Sequence, residues 1–272
     1  MLTKRIAFIG AGNMAQSIIG GLLAQQMPAV QIIAADPVPV CLEKVSALGV
    51  QITTNNVYAV NGADVVVLAV KPQVMKSVTQ TLGVHLADHA VVVSIAAGIT
   101  TKSLRQWLGN KAAIVRCMPN TPALVGLGAT ALFAATGVNN AQQQLADQIL
   151  RSVGIAQWVP DEAQLDAVTA LSGSGPAYFF LVMEALQAAG EKLGLSAELS
   201  RQLTLQTALG AAHMACNSDV DLVELRRRVT SPGGTTERAI QHFEQNGLRA
   251  IFLEALNAAA KRSAELAKDA ER

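Results

Sequence analysis

A chain of 272 residues with 51% hydrophobic side chains can build one large or two ordinary domains around a substantial core. Its net charge of +1 gives no electrostatic ground for nucleic acid or an anionic membrane as a partner, and no apolar run approaches the roughly 20 residues that span a bilayer. Charged residues make up 15% of the chain, against about 25% in a typical soluble domain, so a second subunit is expected to cover much of the surface.

Cys41, Cys117 and Cys216 form no C-x-x-C pair and no even framework. Neither a zinc site nor a disulfide scaffold is indicated, no metal is expected, and a reducing cytoplasm suits them. The N-terminus lacks the basic, apolar and small-residue succession of a secretory signal, which points the same way.

The apolar run Ile6 to Ile9 reads as a strand and leads into Gly10-Ala11-Gly12-Asn13-Met14-Ala15. This G-x-G-x-x-A pattern suits a sharp strand-to-helix turn at Gly10, a bare Cα at Gly12 where backbone approaches a pyrophosphate, and close helix packing at Ala15. Ile18, Ile19, Leu22 and Leu23 share one face of the helix that follows, and its first amides would face an anion. Val30 to Ala35 is a second strand candidate. It ends at Asp36, 21 positions after Ala15, where a dinucleotide fold holds the adenine ribose. Asp36 also suits the start of a turn with Pro37, and the two roles are compatible.

Val50 to Thr53 reads as a third strand, before Asn55 and Asn56. Ala63 to Val70 is a continuous apolar run, as a parallel strand covered on both faces requires. It ends in Lys71-Pro72, at the strand end where ligands collect. The Lys71 side chain is read as structural rather than catalytic. Ala90 to Ala96, Ala112 to Met118, Ala129 to Ala134 and Ile155 to Val159 continue the strands, with a helix over Gln142 to Arg151. Strands alternating with helices predict an α/β, Rossmann-type doubly wound sheet.

From Gln164 the period becomes helical. The boundary is set near Glu162, giving a dinucleotide-binding domain over 1–162 and an all-α domain over 163–272. Ser174 is expected to N-cap a long helix running from Pro176 through Leu193, with Gly194 as its stop. Ser196 caps the next helix, Asp219 and Asp221 stand at the head of a short one carrying Arg226-Arg227-Arg228, and that basic run reads as a solvated face. Ser231-Pro232-Gly233-Gly234-Thr235-Thr236 is a second glycine-rich turn directly before a helix. Its backbone amides would make a carboxylate site without an arginine. A closing helix runs from Leu248 to about Ala267. An all-helical half this rich in Ala and Leu suits a dimer.

Five motifs, Gly10 to Ala15, Ala69-Val70-Lys71-Pro72, Met118-Pro119-Asn120-Thr121-Pro122-Ala123, Ser172 to Tyr178 and Ser231 to Thr236, resemble those of pyrroline-5-carboxylate reductases, in order and over nearly the whole chain. The resemblance implies reduction of 1-pyrroline-5-carboxylate to L-proline by NADPH or NADH, the last step of proline biosynthesis. It implies a Rossmann domain followed by a C-terminal dimerisation domain, and dimers that often assemble into decamers.

Carried over position by position, Gly10 to Ala15 hold the pyrophosphate, Asn56 lies by the adenosine, and Ala69 to Pro72 with Asn120 and Thr121 border the nicotinamide. Ser231, Gly233, Gly234, Thr235 and Thr236 hold the substrate, with Thr236 as the catalytic hydroxyl at the ring nitrogen. Asp219 falls at the family's acidic position, where some members have Glu. None of the four histidines lies in these motifs, and all are read as structural or surface residues. Many relatives place hydroxyl or basic side chains after the second strand for NADPH, but Ala34 to Leu42 has neither. Appreciable use of NADH is therefore expected.

Two other readings remain open. A two-domain 3-hydroxyacid dehydrogenase shares the opening motif and the helical second half, but would place a catalytic lysine on the helix after the mid-chain glycine motif; here Pro176 to Glu191 contains none and Lys192 comes only at the helix end. A non-catalytic dinucleotide sensor would not need the intact Ser231 to Thr236 loop.

Overall fold

The computed structural model describes residues 4–109 and 111–271. Its first part runs β1 (Ile6–Ile9), α1 (Asn13–Ala24), β2 (Ile32–Ala35), α2 (Pro39–Ser46), β3 (Gln51–Thr53), α3 (Asn56–Val60), β4 (Val65–Leu68), α4 (Pro72–Gln80), β5 (Val91–Ser94), α5 (Thr101–Leu108), β6 (Ala113–Met118), β7 (Gly128–Ala134), α6 (Asn140–Arg151) and β8 (Gly154–Trp158). Helices α7 (Gln164–Val168), α8 (Gly175–Lys192), α9 (Ala197–Cys216), α10 (Leu222–Arg228), α11 (Thr235–Gln245) and α12 (Leu248–Glu271) follow. The chain divides into two compact units, Met1–Ser174 with Asn257–Arg272, and Gly175–Leu256.

In the first unit the eight strands form one sheet in the order β3-β2-β1-β4-β5-β6-β7-β8. Alternate side chains feed its two faces. Ile6 and Phe8 pack with Ile18 and Ile149, whereas Ala7 and Ile9 pack with Met75 and Leu104. Full burial of Phe8, Ile9 or Ile18 stabilises by about 1.5–3 kcal/mol each. Strand order changes direction at β1, whose neighbours are β2 and β4, so a crevice opens beyond the carboxyl ends of β1 and β4.

Three expectations are corrected. The second strand begins at Ile32, because Ala29–Gln31 closes a 3-10 turn that leaves Val30 73% exposed. β7 runs antiparallel to β6, because the Met118 to Gly128 link holds only a 3-10 turn at Thr121–Val125, too short for a parallel crossover. Ser174 is not an N-cap of α8 but closes the turn before it. Its backbone is helical, at φ −88 and ψ −18, after a π-helical turn at Thr169–Gly173, and its N–H donates to the Thr169 carbonyl at 2.8 Å.

The end of α12, from Asn257, belongs to the first unit and packs within it. Ser263 Oγ donates to Asp166 at 2.7 Å, and a Cβ on Gly98 would lie 3.3 Å from Leu266 Cβ.

In the second unit Ser196 caps α9 by accepting from the Leu199 N–H. A Cβ on Gly190 would stand 3.0 Å from Ser200 Oγ, so glycine sets the close approach of α8 and α9. Phe179, Phe180, Leu209 and Leu253 are each more than 60% exposed, an apolar surface of the kind that marks an interface. No helix among the described residues is long and apolar enough to cross a membrane.

Candidate functional site

The turn after β1 is held from both sides. Gly10 N–H donates to the Ala35 carbonyl at 2.8 Å and Ala69 N–H to the Ile9 carbonyl at 2.8 Å. Gly10 has φ +100, and a Cβ there would meet the Ala69 carbonyl oxygen at 2.6 Å. Any side chain would therefore force β1 and β4 apart. Gly12 differs, with nothing within 4 Å of an added Cβ. It is also the N-cap of α1, with no side-chain cap, so the first-turn amides are presented to the open space above it. A bare Cα under open ground at a helix N-terminus is what a pyrophosphate requires. Ala11 and Ala15 are buried beneath it.

Asp36 starts the turn with Pro37, as the sequence allows, and also braces the glycine turn. Its Oδ1 accepts from Val38 N–H at 2.8 Å, closing the turn with Pro37, and its Oδ2 accepts from Ala11 N–H at 2.8 Å. The carboxylate is thus tied to the glycine turn, and the Ala11 amide is committed to Asp36. Asn55, rather than Asn56, caps α3 by accepting from Tyr58 N–H. Asn56 begins that helix half-buried.

Ala69 and Val70 continue β4 half-buried. Lys71 is the exposed N-cap of α4, and Pro72 is at its first turn. Asn120 is a brace, because its Nδ2 donates to the Ser172 carbonyl at 3.0 Å and its Oδ1 accepts from Ala129 N–H at 2.9 Å. Thr121, next to it, is exposed. A Cβ on Gly173 would lie 2.4 Å from Met118 Cε, so the π-helical turn packs directly against the end of the Met118 side chain. Burial of Cys117, directly before that loop, pushes its thiol up and leaves it unreactive.

One group escaped the reading of the sequence. The Glu162 carboxylate accepts from Thr101 N–H at 2.7 Å, Thr101 Oγ1 at 2.6 Å and Arg116 Nη1 at 3.0 Å. It takes up a first-turn amide of α5, whose N-cap is Thr100, and neutralises a buried guanidinium. Beside Arg116, Ser94 is fully buried at the end of β5.

In the second unit the Ser231 to Thr236 loop is a type II turn. Gly234 N–H donates to the Ser231 carbonyl at 3.0 Å, Pro232 is second, and Gly233 third at φ +71. Gly234 is the N-cap of α11 and offers no side-chain cap, while Thr235 and Thr236 occupy its first turn with their amides. Asp219 is exposed ahead of α10, and Asp221 caps that helix through Glu224 N–H. Arg227 and Arg228 grip Glu224 at 2.6 and 2.9 Å, pulling its carboxyl down to about 2. The arginine run thus serves its own helix.

Comparison with known proteins agrees with this geometry. Residues 162–266 match the family model described as pyrroline-5-carboxylate reductase dimerisation, and residues 5–98 that described as NADP oxidoreductase, coenzyme F420-dependent. A curated pyrroline-5-carboxylate reductase of Pseudomonas aeruginosa is 59% identical over 269 residues, 98% of each chain. The chain belongs to the pyrroline-5-carboxylate reductase family. Among solved structures, a reductase of this family from Coxiella burnetii is 47% identical with a TM-score of 0.93, covering 97% of this chain and 98% of that one. The Plasmodium falciparum pyrroline carboxylate reductase, solved with NADP bound, is 30% identical with a TM-score of 0.86 over 98% of this chain and 99% of that one. Neither a hydroxyacid dehydrogenase nor a non-catalytic sensor is favoured by these relatives.

Proposed function

We propose that this chain reduces the C=N bond of 1-pyrroline-5-carboxylate to give L-proline, with NADPH or NADH as donor, as the last step of proline biosynthesis. The observation that carries the reading is the 59% identity to a curated pyrroline-5-carboxylate reductase over 98% of the chain, and the glycine pair of the first turn supports its dinucleotide half. Gly10 is pressed against Ala69, and Gly12 is bare beneath open space.

Gly12 to Ala15 would hold the pyrophosphate with first-turn amides, Ala11 contributing its tie to Asp36. Asp36 and Asn56 would border the adenosine. Ala69 to Pro72 with Asn120 and Thr121 would wall the nicotinamide, which supplies a hydride when bound. The Ser231 hydroxyl and the Thr235 amide would orient the substrate carboxylate, while Gly233 and Gly234, whose own amides bond to Glu237 and to the Ser231 carbonyl, would shape the loop around it, with Asp219 nearby in sequence. The Thr236 hydroxyl would donate to the ring nitrogen, which ends the reaction with one more proton while the adjacent carbon gains the hydride. By function we assign 1–162 to dinucleotide binding and 163–272 to dimerisation and substrate, a division that the family match starting at residue 162 supports, although the compact units divide at Ser174 and return 257–272 to the first.

The exposed apolar helices favour a homodimer, and we extend the reading to dimers assembling into decamers in the cytoplasm. The three free cysteines suit a reducing compartment.

Cofactor oxidation assayed with 1-pyrroline-5-carboxylate tests the activity, and no substrate-dependent oxidation would overturn it. The same assay tests cofactor choice. The Asp36 carboxylate would accept from a ribose hydroxyl and repel a 2′-phosphate. NADH should therefore work appreciably, and a preference for NADPH above about a hundredfold in kcat/KM would contradict this.

A further inference from the structure

Glu237 stands directly after the proposed substrate loop and reaches back into it. Its Oε2 accepts from Gly233 N–H at 2.8 Å. Glu at the third helical position usually returns to the N-cap amide. Here the N-cap amide, that of Gly234, is already bonded to the Ser231 carbonyl, and the carboxylate takes the preceding amide instead. That amide belongs to the central peptide of the type II turn, between Pro232 and Gly233. With glycine third in the turn, this peptide can rotate toward a type I arrangement at little steric cost, because glycine accepts either sign of φ. Rotation would replace the Gly233 N–H by the Pro232 carbonyl oxygen, which faces a carboxylate unfavourably.

We infer that Glu237 is a positioning residue for the substrate loop: its bond to Gly233 N–H locks the Pro232–Gly233 peptide in the type II orientation, so that the loop meets the substrate carboxylate already shaped. The inference rests on the reading of Ser231 to Thr236 as the substrate loop. It makes reach and acceptor capacity, not negative charge, the property that matters. Glu237→Gln keeps an acceptor of the same length and loses the charge. Glu237→Asp keeps the charge and falls one methylene short. Glu237→Ala loses both.

The test measures steady-state kinetics with 1-pyrroline-5-carboxylate, cofactor KM and melting temperature for the wild type and all three variants. Substrate-dependent turnover by the wild type checks the underlying reading separately, and its absence would fail that reading rather than the lock. The expected result is a substrate KM raised about fivefold or more in Glu237→Ala and Glu237→Asp, with Glu237→Gln within about threefold of wild type and the cofactor KM unchanged throughout. A role confined to helix stability would lower the melting temperature of Glu237→Ala and leave its substrate KM alone, which would overturn the inference. Glu237→Asp behaving as wild type while Glu237→Gln fails would overturn it equally, by assigning the effect to charge.

Discussion

Arg116 Nη1 lies 3.0 Å from Glu162 Oε1, and the two side chains are only 6% and 22% exposed. The pair joins β6 to the segment that follows β8, and Thr101 draws the N-terminus of α5 into the same carboxylate. A buried cation is costly once its partner is gone.

Glu162→Ala should therefore lower stability by about 3 kcal/mol, by stranding the guanidinium. Adding Arg116→Met should recover part of that loss, because the stranded charge goes too. Thermal unfolding of the two single variants and the double variant checks this, and strictly additive losses would contradict it.

The two glycines of the first turn should separate stability from binding. Gly12→Ala meets nothing within 4 Å and should cost at most about 1 kcal/mol, as a poorer N-cap. Its methyl would stand in the space proposed for the pyrophosphate, so cofactor titration should show binding weakened about tenfold or more. Gly10→Ala should instead damage the fold, through the Ala69 carbonyl and its positive φ. Unaltered cofactor affinity in Gly12→Ala would remove the pyrophosphate assignment.

Thr236→Val should leave cofactor binding intact and lower kcat. An interaction with the ring nitrogen that strengthens as hydride arrives belongs to the transition state. Loss of one oxyanion-type donor costs about 10²- to 10³-fold in strong cases, and less is expected here because water can partly replace a hydroxyl. Gly234 is the N-cap of α11, so little change in melting temperature is expected. An unchanged kcat would refute the catalytic role.

Asp64 gives a pH-dependent prediction. Burial opposes its charge, but Lys4 Nζ and Arg5 N–H, each 2.9 Å away, together with the charges of Lys4 and His89, hold its carboxyl below the ordinary 3.8. A lowered folded value means the contribution is fully present above the unfolded value and is lost as the pH falls through the folded one. The melting-temperature deficit of Asp64→Asn should thus be present at neutral pH and shrink in acid below 3.8. A deficit independent of pH would count against the ionic origin.

The sequence by itself determined the order of strands and helices, the first glycine turn and the loop before α11, because each rests on neighbours a few positions apart. Apolar runs buried on both faces announce parallel strands. G-x-G-x-x-A has a steric meaning wherever it follows a strand, and Asp36 before Pro37 has one local partner. The resemblance to the family's motifs extended the reading to the chemistry proposed for Thr236. Tertiary structure alone decided what distant residues do to one another. The Arg116 and Glu162 pair spans 46 positions and the Thr101 and Glu162 bonds 61, and no spacing rule links residues so far apart. Ser174 looked like a cap because Ser and Pro signal one locally, but a π-helical turn fitted against Met118 carries the helix through it. Glu237 stood at a position where sequence suggests capping. Only the folded turn, with Gly234 N–H already committed to Ser231, directed its carboxylate to Gly233.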